Sequence, residues 1–415
     1  MARRLGLFSI LTLWAALSFV GCRNVGGGAV GEGDGGTDAD SDADTDTDAD
    51  TDADTDTDMD TDTDSDVDDP NADDDGDGYT PLEGDCDDGD ANVNPDAIEV
   101  VEEPYADGGV AEPVDDDCDG VLDEIDPPCD EGIALDDVDP MNGARALELC
   151  KTASADGTDW GVISAAYVRA NGDAAFPVSA PQIGVQTNFG TNVLPLNGYN
   201  LLVLSSGHAR TPDQPDSCGG PSCLGAGAGT APPGFPQDVP GCESGTNIND
   251  DIGLELQLRA PSNAVGFRFK LRFYSFEFPE SVCDHPYNDE VIARVFPAPD
   301  GSFSGNVAID GAGNPVCVHG ATFAVCEYDE GHPEFDCPDG SDDLEGTGFD
   351  IWSNAGATPW LETTAPIEGG ADFAIRFAIW DTSDTIMDST VLIDGFEWIA
   401  IGGTPAVETV PVDDD

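Results

Sequence analysis

The chain has 415 residues, enough for two or three domains and at least one sizeable hydrophobic core. It carries 86 Asp and Glu against 13 Lys and Arg, a formal net charge of -73. That balance argues against nucleic acid and anionic membrane surfaces as partners, and it suits an exported protein that handles cations.

Export is written at the start. Arg3 and Arg4 form a basic n-region, and Leu5–Val20 is an apolar stretch too short for a membrane span. The stretch ends Phe19-Val20-Gly21-Cys22, which resembles a bacterial lipobox with Phe where Leu is usual. The resemblance implies a signal peptide over 1–21, cleavage before Cys22 and lipidation of its thiol. An ordinary secretory signal cut nearby is the alternative. Arg23 rather than Asp follows the Cys, which by the same resemblance directs the protein to the outer membrane, lipid-anchored at the cell surface.

Residues 22–69 form a linker. Asp occupies every even position from Asp38 to Asp68, with Thr, Ala or Ser at most positions between. Neither face of such a period-two run is apolar, so no sheet is expected; self-repulsion keeps the tract extended. At ~3.3 Å per residue it reaches roughly 100 Å, which suits a spacer.

Residues 70–128 have an Asp grammar. Asp73, Asp75 and Asp77 with Gly78 at position six match the first half of an EF-hand loop, where alternate carboxylates wrap one ion and Gly permits the turn. Tyr79 then offers its carbonyl, and Asp85 lies near position twelve. A second loop places Asp115, Asp117, Asp119, Asp123 and Asp126 at positions 1, 3, 5, 9 and 12. The block resembles the Asp-rich metal-binding motif of myxobacterial surface proteins and the calcium loops of thrombospondin type 3 repeats. That resemblance implies another Cys near Glu99–Glu102, which this chain lacks, so Cys86 is expected to pair with Cys118. Ca²⁺ is the ion that such loops imply.

Twelve Cys in an exported chain imply disulfides. If Cys22 carries lipid, an odd number remains and one Cys is left over. Cys129 and Cys150 bracket a helical segment, Pro140–Lys151, and form a disulfide-linked connector over 129–154. Cys218 and Cys223 close a small loop. Cys242, Cys283, Cys317, Cys326 and Cys337 have no assignment from sequence.

From about residue 155 to 402, short alternating runs and turn signals predict a mainly β domain, a sandwich or jelly roll, followed by an acidic tail over 403–415. Strands are expected at Val162–Arg169, Tyr199–Ser205, around Leu254, Leu256 and Leu258, and over Phe267–Phe273. In the last of these Arg268, Lys270 and Arg272 share one face, read as a solvated stripe that balances acidic surroundings; an anion or partner site is the alternative. In Phe373–Trp398 two apolar runs flank a turn that holds Asp381, Asp384 and Asp388. Phe373, Ile375, Phe377 and Ile379 alternate as a strand with one buried face.

Ser275-Phe-Glu277-Phe-Pro-Glu280, followed by Tyr287-Asn288-Asp289, resembles an element of choice-of-anchor L domains. The Asp381/Asp384/Asp388-Ser389 turn, Ile393-Asp394-Gly395-Phe396 and Leu204-Ser205-Ser206-Gly207 share that resemblance. It implies a β-rich surface domain without established enzymatic activity. Glu277, Asn288 and Asp289 are expected to meet Asp381, Asp384 and Asp388 around Ca²⁺ at one end of the sandwich; turn capping is the alternative. The function expected is a surface-displayed, calcium-stabilised module that binds an extracellular polysaccharide or protein, with no catalytic residues. A carbohydrate-active hydrolase whose cleft uses Trp352, Trp360, Trp380 or Trp398, or a purely structural lipoprotein, are the alternatives.

Overall fold

The computed structural model describes residues 69–101, 113–154, 157, 159–175, 180–320, 323–351 and 355–412. The signal segment, Cys22, the alternating Asp tract and Trp352 lie outside the described residues.

Period-two alternation becomes strands, and the chain is mainly β. They are β1 (Gly161–Val168), β2 (Ile183–Gln186), β3 (Leu201–Ser205), β4 (Ile248–Arg259), β5 (Gly266–Ser275), β6 (Glu290–Phe296) and β7 (Val316–Cys317). Then come β8 (Val325–Cys326), β9 (Gly356–Ala357), β10 (Leu361–Pro366), β11 (Asp372–Thr382), β12 (Ser389–Ile399) and β13 (Glu408–Pro411). One sheet runs β1-β4-β11-β6-β7 and the other β13-β10-β5-β12-β3-β2, with β9 joining β5 and β8. Neighbours pair antiparallel throughout. The chain changes sheet at β1–β2, β3–β4, β4–β5, β5–β6, β7–β8, β10–β11 and β11–β12, as a β-sandwich requires.

The inner faces supply the core. Leu254, Leu256 and Leu258 of β4 meet Phe267, Phe269, Leu271 and Phe273 of β5, Phe373, Ile375, Phe377 and Ile379 of β11, and Val391, Ile393 and Phe396 of β12. Phe267 stacks on Phe373 at 5.5 Å and on Phe396 at 5.3 Å. Each such fully buried side chain stabilises by about 1.5–3 kcal/mol.

Two local readings change, and a connection the sequence left open is placed. β11 is buried on both faces rather than one: beyond the core side chains, Trp380 and Ala378 sit under Phe235 and Ile248 on the outer side of the sheet. A Pro/Gly-rich loop is what covers them, and loops leave no periodic signal. The two apolar runs around Asp381–Asp388 are not a hairpin, because β11 and β12 belong to opposite sheets. The helix is Pro140–Arg145 only (α1), capped by Asp139, whose side chain accepts from the Met141 N–H. Glu148 at φ 63° turns the chain out of the helix and back toward Cys129. Ala144, Ala146, Leu147 and Leu149 enter the main core, so this segment is part of the sandwich's packing.

The basic stripe on β5 is spent on neighbours. Arg268 pairs with Glu397 at 2.6 Å, Lys270 with Glu362 at 3.5 Å and Arg272 with Asp343 at 2.7 Å. Disulfides join Cys86–Cys118, Cys129–Cys150 and Cys218–Cys223, and also Cys242–Cys283 and Cys326–Cys337. Cys317 is free and buried.

Candidate metal centre

The register fixes where the acidic turn lies. Thr382 of β11 pairs with Ile248 at the start of β4, and Ser389 of β12 pairs with Ser275 at the end of β5. Both sheets therefore deliver their ends to one place. Asp381 stands at the end of β11 itself, and the loops that leave that place carry Glu277, Asp289, Asp384 and Asp388. To these the fold adds Asp250, which no sequence pattern marked.

A hydroxyl and amide floor holds the cluster. Gln182 Nε2 donates to the carbonyls of Ser205, Ser206 and Asp250 at 3.3, 3.3 and 2.7 Å, tying β3 to β4. Ser205 Oγ donates to the Ser389 carbonyl at 3.0 Å, and Ser389 N–H donates to Ser206 Oγ at 2.9 Å. Above this floor Asp289 accepts from Thr382 N–H at 2.9 Å and from Ser389 Oγ at 2.6 Å. Glu277 Oε2 accepts from Asp289 N–H at 3.3 Å. Asp388 Oδ2 accepts from Cys223 N–H at 2.7 Å, while its Oδ1 is buried without a partner.

Asp381 is the centre of the arrangement. It is 0% exposed, and neither carboxylate oxygen has a partner at hydrogen-bond geometry; the Ser206 hydroxyl nearby offsets its burial only in part. Burial, then the charges of Asp289 and Asp388, push its carboxyl well above the usual range. Burial likewise raises Glu277, Asp289 and Asp250, and it lifts Asp388 to about 7. An ionised carboxylate left without a partner in a protein interior is costly, so such a group takes a proton or a cation. Arg169, whose charge acts on Asp250, is committed to Asp251 at 2.7 Å.

Two expected ligands behave differently. Asp384 is half-buried at the rim, its Oδ1 accepting from Ile386 N–H at 3.0 Å. Asn288 is buried but turned away: its Oδ1 accepts from His319 N–H and its Nδ2 donates to Ser244 Oγ, both at 2.8 Å. An amide that both donates and accepts is better used to tie two loops than to hold a cation.

The Asp-rich segment lies at the other end of β4, past Arg259. Ser262 Oγ donates to Asn94 Oδ1 at 2.7 Å, and Asn263 Oδ1 accepts from Ile98 N–H at 3.1 Å. Its two loops repeat one hydrogen-bond pattern. Gly78 N–H donates to Asp73 Oδ2 at 3.2 Å as Gly120 N–H does to Asp115 Oδ2 at 3.0 Å. Asp77 and Asp119 N–H donate to Asp75 and Asp117 Oδ1, both at 3.1 Å. The turn needs a left-handed residue at position four, supplied by Gly76 at φ 86° and by Cys118 at φ 58°.

In the first loop carboxylate oxygens of Asp73, Asp75 and Asp77 lie within 4.8 Å of one another. Asp75, Asp77 and Asp85 each keep a buried oxygen without a partner. Burial raises the Asp77 and Asp85 carboxyls, with the Asp75 charge adding to both. Tyr79 enters through its hydroxyl, which donates to Asp96 at 2.6 Å.

In the second loop the group within 4.8 Å is Glu99, Asp115 and Asp117. Glu99, unforeseen as a ligand, accepts from Asp117 and Asp123 N–H at 3.2 and 2.8 Å. Asp115, Asp123 and Glu124 keep buried oxygens without partners. Asp126 is exposed instead, because Asp123 at φ 51° turns the chain early and brings Glu124 inward. Asp119 stays exposed at the loop tip, accepting from Val121 N–H at 2.8 Å.

The donors of both regions are carboxylates and hydroxyls, which suit a hard cation rather than zinc. Set against protein-family models and curated proteins, the chain matches none.

Proposed function

We propose that this chain is an exported, Ca²⁺-stabilised β-sandwich that serves as a surface binding or adhesion module, held at the outer membrane by a lipid on Cys22. The observation that carries the calcium reading is Asp381, whose two buried oxygens lack partners in the midst of Asp289, Asp388 and Glu277. Hard oxygen donors arriving from separate loops are how proteins build Ca²⁺ sites. The Asp-rich loops supply further sites of the same kind.

The resemblance to choice-of-anchor L domains supports display as the role, since Glu277, Asp289, Asp381, Asp388 and Ser206 of the resembling motifs converge on one spot. The net charge of -73 favours a calcium-rich exterior over any anionic partner. Of the aromatic residues that a sugar cleft would expose, the three among the described residues are packed. Trp380 is 0% exposed, Trp360 is 9% exposed, and Trp398 lies edge-on to Phe396 at 5.1 Å. The extracellular partner, a polysaccharide or a protein, would be recognised by the loops around the site.

Calorimetric titration of Ca²⁺ into the purified protein, with parallel melts in chelator, tests the reading. Saturable binding that Asp381→Asn reduces, with a higher melting temperature in Ca²⁺, supports it. Weak, unsaturable binding with identical melts overturns it.

A further inference from the structure

The small ring closed by Cys218 and Cys223 sits directly on the turn that carries Asp388. Three hydrogen bonds join them. Cys223 N–H donates to Asp388 Oδ2 at 2.7 Å, Asp388 N–H donates to the Pro221 carbonyl at 2.8 Å, and Met387 N–H donates to Ser222 Oγ at 2.9 Å. Both sulfurs lie within 4.8 Å of an Asp388 carboxylate oxygen. The turn itself adopts backbone that side chains disfavour: Ser383 is at φ 80° and Met387 at φ 66°. Something outside the turn must hold it, and the ring does so at three points. The ring is open to solvent, with Gly219 and Ser222 exposed and nothing within 4 Å of a Cβ placed on Gly219 or Gly220. Asp388 lies beneath it, 4% exposed, with Oδ1 unpartnered and with its charge acting on Asp381.

We propose that the Cys218–Cys223 disulfide gates the metal site at this end of the sandwich. Closed, it holds Asp388 in the ligand set. Opened, it frees the Met387–Asp388 end of the turn, Asp388 leaves the cluster and the cation is released. The gate rests on the calcium reading given above. The opening step is reduction by a dithiol. One thiolate of the reductant attacks a cysteine sulfur and breaks the S–S bond, and its second thiol resolves the mixed disulfide. The protein gains two electrons and two protons as two thiols, and the reductant leaves as its cyclic disulfide. A residue that only orients a ligand typically changes metal affinity by about 10–100-fold, which sets the scale expected here.

The test is Ca²⁺ titration of the full chain, of Asp381→Asn, and of the double variant Cys218→Ser/Cys223→Ser. Asp381→Asn identifies which class of sites belongs to the sandwich. The double variant is expected to bind that class about 10–100-fold more weakly while leaving the Asp-rich loops unchanged. Ser222→Ala, which keeps the ring closed and deletes one of its three bonds to the turn, is expected to lose less. If Asp381→Asn removes a class that the double variant binds at wild-type affinity, the gate is wrong and the calcium reading stands. If Asp381→Asn changes nothing, the calcium reading fails and the gate with it. Should the double variant not fold, graded dithiothreitol on the wild-type protein decides. Ca²⁺ release that tracks alkylation of Cys218 and Cys223 supports the gate, and full alkylation with Ca²⁺ retained overturns it.

Discussion

Asp388→Asn should change stability in opposite directions with and without calcium. In the wild-type protein without metal, burial lifts the Asp388 carboxyl from 3.8 to about 7. A carboxyl raised in the folded state leaves folding unpenalised below its unfolded pKa. As pH climbs from about 4 to 7 the unfolded chain ionises and the folded one resists, so stability falls. At ~1.4 kcal/mol per unit the loss is at most roughly 4 kcal/mol at neutral pH. Asn removes that loss. Its amide oxygen keeps the bond from Cys223 N–H, and its NH₂ takes the place of the unpartnered Oδ1. In chelator at pH 7.5 the variant should therefore melt higher, by up to about 8 °C at roughly 2 °C per kcal/mol for a chain of this size. At pH 4 the two proteins should melt together. In Ca²⁺ at a ten-thousandfold excess over Kd the order should reverse, because the variant lacks a ligand and forgoes the stabilisation that binding gives, about 5.5 kcal/mol against the roughly 4 kcal/mol it gained. The measurement is differential scanning calorimetry at both pH values, with chelator and with Ca²⁺. A variant less stable than wild type in chelator at pH 7.5, or equally stabilised at both pH values, would refute the reasoning.

Three further outcomes are expected. Glu290 is fully buried and burial lifts its carboxyl to about 8, so Glu290→Gln should raise stability at pH 7 by roughly 3 kcal/mol, fading toward pH 4 and indifferent to Ca²⁺; denaturant titration across pH checks it. A Cβ on Gly207 would stand 1.8 Å from Asp388 Oδ2, so Gly207→Ala should cost about 1–3 kcal/mol and weaken Ca²⁺ binding at the sandwich end only, read by paired melts and titration. Glu99→Ala should remove one Ca²⁺ from the calorimetric stoichiometry, since it deletes the acceptor of two loop amides and an oxygen beside Asp115 and Asp117; an unchanged stoichiometry would deny the second loop its role.

The core was legible because side chains that face it recur with period two along a strand, as in Phe267–Phe273 and Phe373–Ile379. The disulfides Cys129–Cys150 and Cys218–Cys223 were legible from the short segments they bracket, and Cys86–Cys118 from what the resemblance of the Asp-rich block implied. Sheet membership was not: a short acidic turn serves a hairpin or a crossing between sheets with the same side chains. Asp250 escaped notice because Asp251 beside it is structural, paired with Arg169, and an Asp-Asp step carries no spacing. Glu99 escaped because it reaches its loop from 24 residues before Asp123, through folding alone. Asn288 was over-read: its neighbours in sequence face the cluster, but its own amide was needed to join the His319 and Ser244 loops.

β4 has a mechanical meaning. It is 12 residues long, roughly 40 Å, and runs from the Asp250 cluster to the loop that receives the Asp-rich segment. It pairs with β11 from Ile248 to Arg259 on one side and with β1 over Gly253–Arg259 on the other. A pull applied between the two acidic ends would run parallel to this strand and load its ladders in shear, many bonds at once, rather than unzipping them singly. A cell tethered through one end and gripping a surface through the other would hang on the stiffest axis of the molecule.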